Sequence, residues 1–340
     1  MKVVNLIIVM NVLWGSLLLA QNNEFLLDTN LIYMPAFSVQ SHPAIAFDGT
    51  NYFVAWFDWR NRIPYHYEDS GYLNVYGCRV TPDGVLLDSA GILISYCIWI
   101  AGYVPCKPAI AYGGGNFLVT WVDYLRNGNL YGARIDTNGI VLDPDGFIVC
   151  TYSSAKASPD IAFDGNNYFV VWSDMRDPPG VYACRIHPDG AILDPEGVFI
   201  SNAGGDPAVA FDGTNYLAVF TNGDISGARV DTSGTVLDTN AIVICTATEN
   251  QLNPSVTFGG ENYFVVWEDR RSGSNNADIY GARVDTAGIL LDTNSIAISR
   301  LPDYEYHPST AFDGTHYFVV WSDYATTYCA RVDTSGIVLD

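Results

Sequence analysis

The chain has 340 residues, of which 49% are hydrophobic and only 16% charged, and its formal net charge is −21. This composition excludes an intrinsically disordered chain. The scarcity of lysine and arginine excludes nucleic acid and anionic membrane surfaces as partners, because both require a cationic binding surface. The composition is compatible with neutral carbohydrate, cationic peptides or divalent cations as partners.

The first 20 residues differ from the rest. Lys2 supplies a positive charge, Val3 to Leu19 are almost wholly apolar, and Ala20 ends the stretch with a small residue. This pattern predicts a secretory signal peptide over residues 1–20. An uncleaved membrane anchor is the alternative, but the apolar stretch is shorter than a usual span. We therefore expect residues 21–340 to be exported to the cell surface, the extracellular space or the periplasm, with no membrane insertion after cleavage.

A β-hairpin pattern recurs six times, most clearly in PDIAFDGNNYFVVWSD, residues 159–174. An apolar run, a Gly/Asn turn and a second apolar run are typical of two strands, which we call A and B. Strand B is apolar on both faces, so both faces must be covered. An Arg-containing strand C and a strand D complete each copy. The six copies begin at Pro43, Pro108, Pro159, Pro207, Pro254 and Pro308.

The spacing inside the copies predicts their arrangement. The distance from the strand-A proline to the strand-B aromatic is 13 residues in every copy, whereas the B–C and D–A connections vary in length. In an up-and-down sheet those two connections lie at the same end, which we call the variable face. Four-stranded units covered on both faces predict an all-β fold, a β-propeller of six blades over residues 21–340. Residues 21–40 resemble an isolated strand D and are predicted to close the sixth blade. An array cut from a longer one would have seven or more blades.

The repeats also resemble a tandem-repeat family of secreted bacterial proteins with the pattern FDGTNYFVVWSD…YGARVDTSGIVLD. Residues 311–323 and 280–291 carry that pattern almost continuously. The resemblance covers nearly all of residues 21–340. It implies a propeller-like, exported or surface-associated protein, and it implies no catalytic residues.

Two repeated sets are predicted to be structural. An arginine at the same place in every copy suits a seam between blades, where it pairs with a repeated aspartate or with carbonyl groups. A sialidase-like grip on a substrate carboxylate is the disfavoured alternative, since the sialidase Asp-box is missing. The arginines are Arg79, Arg134, Arg185, Arg229, Arg283 and Arg331, and the strand-B tryptophans are Trp56, Trp121, Trp172, Trp267 and Trp321.

The seven cysteines fall into two groups. Five occupy repeat positions of small residues and are predicted to be buried free thiols: Cys78, Cys150, Cys184, Cys245 and Cys329. Cys97 and Cys106 belong to no repeat position and flank a loop, so a disulfide between them is an open alternative to two free thiols.

Acidic residues raise two further alternatives. The acids two residues after the strand-B aromatic, Asp58, Asp123, Asp174, Asp269 and Asp323, could supply the carboxylate pair of a glycosidase. Turn capping is the ordinary explanation for them. The turn aspartates, such as Asp48 and Asp136, lack the ligand spacing of a calcium loop, so a weak surface calcium site is the most that they suggest. We expect no zinc and no other cofactor.

The first copy departs most from the repeat. Its B–C and D–A connections are the longest of their types and are rich in Trp, Tyr and Arg, which ligand and protein contacts favour. The alternative is that the two connections pack on each other. The candidate ligand-binding residues are Trp59, Arg60, Arg62, Tyr65, His66, Tyr67, Tyr96, Trp99 and Tyr103.

The sequence therefore predicts an exported, non-enzymatic β-propeller that binds a protein or a carbohydrate at the variable face. An extracellular glycoside hydrolase or lyase, with a sialidase-like propeller and acids at that face, is the alternative. A purely structural repeat segment is a third. No catalytic residue is predicted.

Overall fold

A computed structural model describes residues 40–60, 70–100, 107–124, 126–202, 204–273, 276–301, 304–323 and 326–340, with the backbone alone for residues 70–73 and 97–100. The predicted signal peptide and the predicted closing strand, except Gln40, lie outside the described residues. So does Cys106 of the candidate disulfide. The domain boundaries stay a prediction.

The described chain forms six antiparallel sheets, which we number in chain order. Sheet 1 contains β1 (Gln40–Phe47), β2 (Tyr52–Asp58), β3 (Ser70–Val80) and β4 (Ile92–Ile100). Sheet 2 contains β5 (Ala109–Gly113), β6 (Asn116–Asp123), β7 (Asn129–Asp136) and β8 (Phe147–Ile148). Sheet 3 contains β9 (Lys156–Phe163), β10 (Tyr168–Asp174), β11 (Gly180–Ile186) and β12 (Val198–Ser201).

The second half of the chain continues in the same way. Sheet 4 contains β13 (Gly205–Phe211), β14 (Asn215–Thr221), β15 (Ile225–Asp231) and β16 (Ile242–Cys245). Sheet 5 contains β17 (Gln251–Phe258), β18 (Asn262–Asp269), β19 (Asp278–Asp285) and β20 (Ile296–Ser299). Sheet 6 has three strands, β21 (Tyr306–Phe312), β22 (His316–Ser322) and β23 (Thr327–Asp333).

Each sheet is an up-and-down meander in which consecutive strands pair. The first strands of successive sheets lie beside one another, from β1 to β21. These first strands are therefore the innermost strands, and strand D is the outermost. The predicted all-β class and the four strands per repeat are confirmed for sheets 1 to 5.

The double-sided apolarity of strand B has a direct structural cause. Alternate residues of a strand point to opposite faces, so strand B of sheets 2 to 5 packs one face on the preceding sheet and the other on the next. Phe169 and Val171 of sheet 3 contact Tyr216 and Ala218 of sheet 4. The ring of Phe169 stacks on that of Tyr216 at 4.2 Å between centroids. Similar clusters join sheets 1 and 2, 2 and 3, 4 and 5, and 5 and 6.

The repeated arginines join neighbouring sheets near the end opposite the variable face. Arg79 donates from Nε and Nη2 to both carboxylate oxygens of Asp88, at 2.9 and 2.8 Å. Its Nη1 donates to the carbonyl of Thr137 in the next sheet, at 3.1 Å. The arginines of sheets 2 to 5 repeat both contacts, reaching the carbonyls of Pro188, Thr232, Thr286 and Thr334. Each arginine thus pairs with its own strand D and contacts its neighbour, in the geometry favoured by the sequence.

Sheet 6 differs from the other five on the face that, in sheets 1 to 5, packs against the next sheet. Phe318 and Val320 are half-buried, whereas the equivalent residues of sheets 1 to 5 are fully buried. Arg331 keeps its bond to Asp340, but its side chain is 47% exposed against 16–21% for the other five arginines. Cys329 lies on this face and is exposed, so the prediction that it is buried was wrong. The other four repeat cysteines are buried free thiols.

Sheet 1 differs at the variable face. Residues 70–74 of β3 pair with residues 96–100 of β4, so both strands extend beyond their equivalents in sheets 2 to 5. The two long connections of the first repeat therefore lie side by side, as predicted. Their inner parts form a two-stranded extension of the sheet rather than loops.

Candidate functional site

The aspartates at the ends of strand B belong to buried clusters. Trp172 donates from Nε1 to Asp174 Oδ2 at 2.9 Å, and Arg176 donates to the same oxygen at 2.6 Å. Both Asp174 and Arg176 are buried, and the Arg176 guanidinium lies 4.0 Å from the centre of the Tyr182 ring. Burial alone would raise the pKa of Asp174, but the hydrogen bonds from Arg176, Ser154 and Trp172 outweigh it and lower the pKa to about 2.

This Trp–Asp–Arg–Tyr cluster recurs in other sheets. Sheets 1 and 5 repeat all four members with a Trp–Asp hydrogen bond, an Asp–Arg ion pair and an arginine over the tyrosine ring. Sheet 2 has the ion pair of Arg126 with Asp123 at 3.4 Å and the same stacking. Sequence reasoning missed this second arginine set because it is incomplete. Arg60, Arg176 and Arg271 follow their aspartates by two residues and Arg126 by three, whereas the fourth and sixth copies have no such arginine. The repeated acids are therefore structural components of the variable face.

The candidate residues of the first repeat are only partly described. Arg60 forms an ion pair with Asp58 at 2.6 Å and lies over Tyr76. Trp59 packs against the core between sheets 1 and 2. Tyr96 is 57% exposed and borders a cavity of about 350 Å³ that Asp145 also lines. Trp99 is described by its backbone alone, and Arg62, Tyr65, His66, Tyr67 and Tyr103 lie outside the described residues. Ligand binding by this group stays a prediction.

A second polar position near the start of strand A supports the D–A connections. Lys156 is 1% exposed and donates from Nζ to the carbonyls of Tyr152 and Ser154, at 2.7 and 3.0 Å. Gln251, at the same repeat position, donates to the carbonyl of Glu249 at 2.8 Å. Burial lowers the pKa of Lys156. These residues stabilise the loop backbone from inside.

This equivalence predicts the effect of replacing Lys156. Lys156→Gln is expected to stay within about 1 kcal/mol of the parent, because an amide can donate to the same carbonyls without a buried charge. Lys156→Ala is expected to lose about 2–4 kcal/mol, since it leaves carbonyls unpaired and removes methylene groups. Urea unfolding measures both. The unfolded chain binds the proton of Lys156 more tightly, so the parent should gain stability over Lys156→Gln as pH rises toward 10.5. Equal losses in the two variants would contradict this role.

A third position, directly before each strand-A proline, carries a different polar residue in nearly every copy. We call these six residues the axial ring, because they lie at the innermost strands and near their variable-face ends. None of the six is fully buried. The axial ring consists of His42, Lys107, Ser158, Asp206, Asn253 and His307.

The backbone of the axial ring is repeated although its side chains are not. Five of the six residues are left-handed, with φ between 48° and 56°, and Lys107 is the exception. In these five sheets the pairing of strands A and B is irregular at the same place, which is a β-bulge. A left-handed non-glycine residue costs about 1–3 kcal/mol and needs support from its surroundings. The bulge turns one polar side chain per sheet out of the regular pleat.

Contacts link members of the axial ring across sheets. Ser158 Oγ donates to Asp206 Oδ1 at 2.7 Å. Asn253 Nδ2 donates to Glu268 Oε2 at 3.0 Å. The pKa of His42 lies below its usual value, first because of desolvation and then because of the charges of His307 and Lys107. Members from sheets 6, 1 and 2 are thus close enough to interact electrostatically, and the ring gathers donors and acceptors at one end of the axis.

Sequence reasoning did not identify the axial ring. Its signal was nevertheless present, since the proline that follows is constant while the residue itself changes among His, Lys, Ser, Asp and Asn. Packing positions in this repeat keep their residue type. Unlike the buried position of Lys156 and Gln251, this position keeps its side chains at least partly exposed, so a changing polar residue here is available for contacts outside the protein.

Two kinds of feature are absent from the described part of the chain. Among those residues, no three His, Cys, Asp or Glu side chains are grouped as metal ligands would be. No helix long and apolar enough for a bilayer occurs there either.

Similar solved structures identify the fold. The periplasmic gluconolactonase PpgL of Pseudomonas aeruginosa matches with a TM-score of 0.58 and 16% identity, over 88% of this chain and 84% of that chain. The subtype N11 neuraminidase-like protein of A/flat-faced bat/Peru/033/2010 (H18N11) matches with a TM-score of 0.51 and 11% identity, over 88% and 85%. A neuraminidase-like protein from A/bat/Guatemala/164/2009 gives 0.53 and 10%, over 85% and 87%.

These matches and the six meander sheets confirm the β-propeller class. At such identities the similarity shows the fold alone, because one fold hosts many functions. No model of a known protein family matches the sequence, and no curated protein matches it.

Proposed function

We propose that this protein is an exported, non-enzymatic β-propeller that binds carbohydrate at the axial end of its variable face. The single observation that carries the proposal is the axial ring, in which five types of polar side chain occupy one repeat position, on a left-handed bulge in five of the six copies. Hydrogen-bonding side chains gathered near one end of the innermost strands suit a sugar, whose hydroxyl groups need paired donors and acceptors. A protein partner would need a broader surface. Export rests on the sequence of residues 1–20.

The hydrolase alternative fits the repeated acids poorly. A glycosidase needs one carboxylic acid that holds its proton near neutral pH. Asp174 has a pKa of about 2 and is occupied by Trp172 and Arg176. Desolvation does raise the pKa of Asp160, beside the axial ring, although its Oδ2 accepts the Val209 N–H at 2.9 Å. Asp160 is therefore the acid beside the axial ring on which a hydrolase would draw.

The test is a glycan-array screen of residues 21–340, followed by calorimetry with any sugar that binds. Ser158→Ala and Asn253→Ala are each expected to weaken binding about fivefold to tenfold, the value of one hydrogen bond. Tyr96→Ala, in the first-repeat extension, is the matched control and should bind normally. Loss of binding in Tyr96→Ala alone would move the site to that extension. Release of sugar that Asp160→Asn abolishes would replace this proposal by the hydrolase.

A further inference from the structure

The axial ring is divided by charge into two arcs. His307 of sheet 6, His42 of sheet 1 and Lys107, which precedes β5 of sheet 2, are basic side chains, and we call them the cationic arc. Ser158, Asp206 and Asn253 come from sheets 3, 4 and 5 and form a hydroxyl, carboxylate and amide arc. The cationic arc stands out in a chain of net charge −21.

The cationic arc lacks the neutralising partners that the arginines have. The repeated arginines and the Arg60–Asp58 and Arg176–Asp174 pairs all contact a carboxylate. Lys107 forms no hydrogen bond or ion pair with any described residue; desolvation raises the pKa of Asp160, and the charge of Lys107 opposes that rise.

The other charged groups described around His42 are either already paired or themselves basic. On β2, Asp58 is buried and already paired with Arg60, and it also accepts a hydrogen bond from Gln40 at 3.3 Å. On sheet 6 and before β5, the neighbours are His307 and Lys107, whose charges both oppose protonation of His42. On sheet 5, Glu268 is occupied by Asn253 and Arg270. A carboxylate placed among these three basic side chains would pair with the Lys107 ammonium and favour the protonated form of the His42 imidazole.

We infer that the axial ring binds a sugar acid, with its carboxylate held between His307, His42 and Lys107 and its hydroxyl groups on the arc of Ser158, Asp206 and Asn253. This inference rests on the proposed function and names its ligand class. Lysine and protonated histidine are donors without acceptors, so they suit a carboxylate, whereas the opposite arc offers both donors and acceptors. The two arcs together match a ligand that is anionic at one end and polyhydroxylated at the other.

Binding of this ligand is coupled to a proton. The pKa of His42 lies below 6.5 in the free protein, so the imidazole is mainly neutral at neutral pH. A bound carboxylate stabilises the imidazolium and raises that pKa, so binding takes up a proton. Affinity therefore increases as pH falls through the interval between the bound and free pKa values of His42, and it levels off below the free value.

The experiment measures galacturonate and galactose binding to residues 21–340 by calorimetry between pH 5.5 and 8. We expect galacturonate to bind at least tenfold more tightly than galactose at pH 6, and Lys107→Met to abolish most of this preference. His42→Asn, which copies the residue at position 253, should flatten the pH dependence of galacturonate binding. Arg331→Gln, at the opposite end of the sheets, removes one exposed positive charge and serves as the control, so its preference should be unchanged.

The outcomes separate this inference from the proposed function. Equal affinity for the two sugars, or a galacturonate preference that survives Lys107→Met, overturns the carboxylate assignment while carbohydrate binding stands. Acetate competing as effectively as galacturonate overturns the sugar-acid assignment, because the hydroxyl arc would then contribute nothing. Absence of binding by either sugar, together with a blank glycan array, overturns the proposed function itself.

Discussion

Replacement of Asp174 by alanine is expected to lower the free energy of unfolding by about 3–5 kcal/mol, the cost of breaking a buried ion pair from one side. The variant leaves the Arg176 guanidinium, which is 8% exposed, without its carboxylate. It also removes the acceptor of the Trp172 indole N–H and of the Ser154 hydroxyl. Urea unfolding of residues 21–340, followed by tryptophan fluorescence, measures the loss.

Sheet 6 supplies the matched control. Asp323 occupies the same repeat position, but Trp321 there donates to Glu305 at 2.6 Å instead. Asp323 accepts hydrogen bonds from the Tyr328 hydroxyl and from the Thr326 N–H. Asp323→Ala should therefore cost about 1 kcal/mol. Similar losses in the two variants would contradict the assigned role of the Asp174–Arg176 pair.

A double variant tests the mechanism of the loss. Sheet 4 has Phe220 and Asn222 in place of the tryptophan and aspartate, so the repeat tolerates a neutral version of this cluster. Asp174→Asn combined with Arg176→Met removes both charges and is expected to be more stable than Asp174→Ala. If the double variant is the less stable of the two, the unpaired guanidinium is not the cause.

The same cluster gives an acid dependence with a definite sign. The folded pKa of Asp174, about 2, is below its unfolded value of 3.8. The carboxylate therefore contributes about 2 kcal/mol of stability above pH 3.8, and this contribution is lost as pH falls through 2. The difference between the parent and Asp174→Asn should shrink over that interval. A difference that stays constant from pH 5 to pH 2 would show that charge is not involved.

The sequence specified the repeated packing because packing uses apolar periodicity and fixed spacing. Phe169 and Trp172 could be assigned to opposite faces of strand B from the sequence alone, because successive side chains of a strand point to alternate faces. The bidentate contact of Arg79 with Asp88 follows from the constant nine-residue spacing in the same way.

Contacts between connections of different lengths could not be found in that way. Arg60, Arg176 and Arg271 follow their aspartates by two residues, but Arg126 follows Asp123 by three and the fourth and sixth copies have no arginine there, so the set is not constant across the repeat. Lys156 and Gln251 share a position but not a chemical class, and their common role depends on loop carbonyls whose location only the fold supplies. The axial ring was hidden for the opposite reason. A search for repeated residues does not find a position such as His42, where the backbone conformation repeats and the side chain does not.

The closing strand remains the prediction with the most direct structural consequence, and a disulfide tests it. Residues 28–32, DTNLI, repeat DTNAI at 238–242 and DTNSI at 292–296. In those two copies the final isoleucine pairs with Gly227 and with Gly281. The equivalent of these glycines in sheet 6 is Cys329, which is exposed. If residues 21–40 complete sheet 6, Ile32 lies opposite Cys329.

Ile32→Cys is therefore expected to form a disulfide with Cys329, because directly opposed strand residues have the Cα separation that a disulfide requires. The bridge closes a loop of about 300 residues and should raise the free energy of unfolding by about 5 kcal/mol in the chain-entropy model. Peptide mapping without reduction detects it, and thermal unfolding with and without reductant measures its effect. Tyr33→Cys is the control, since the neighbouring residue of a strand points to the other face and should remain a free thiol. If oxidised Ile32→Cys protein gives no peptide that links the introduced thiol to Cys329, this register is ruled out and the free edge of β23 is left for another strand.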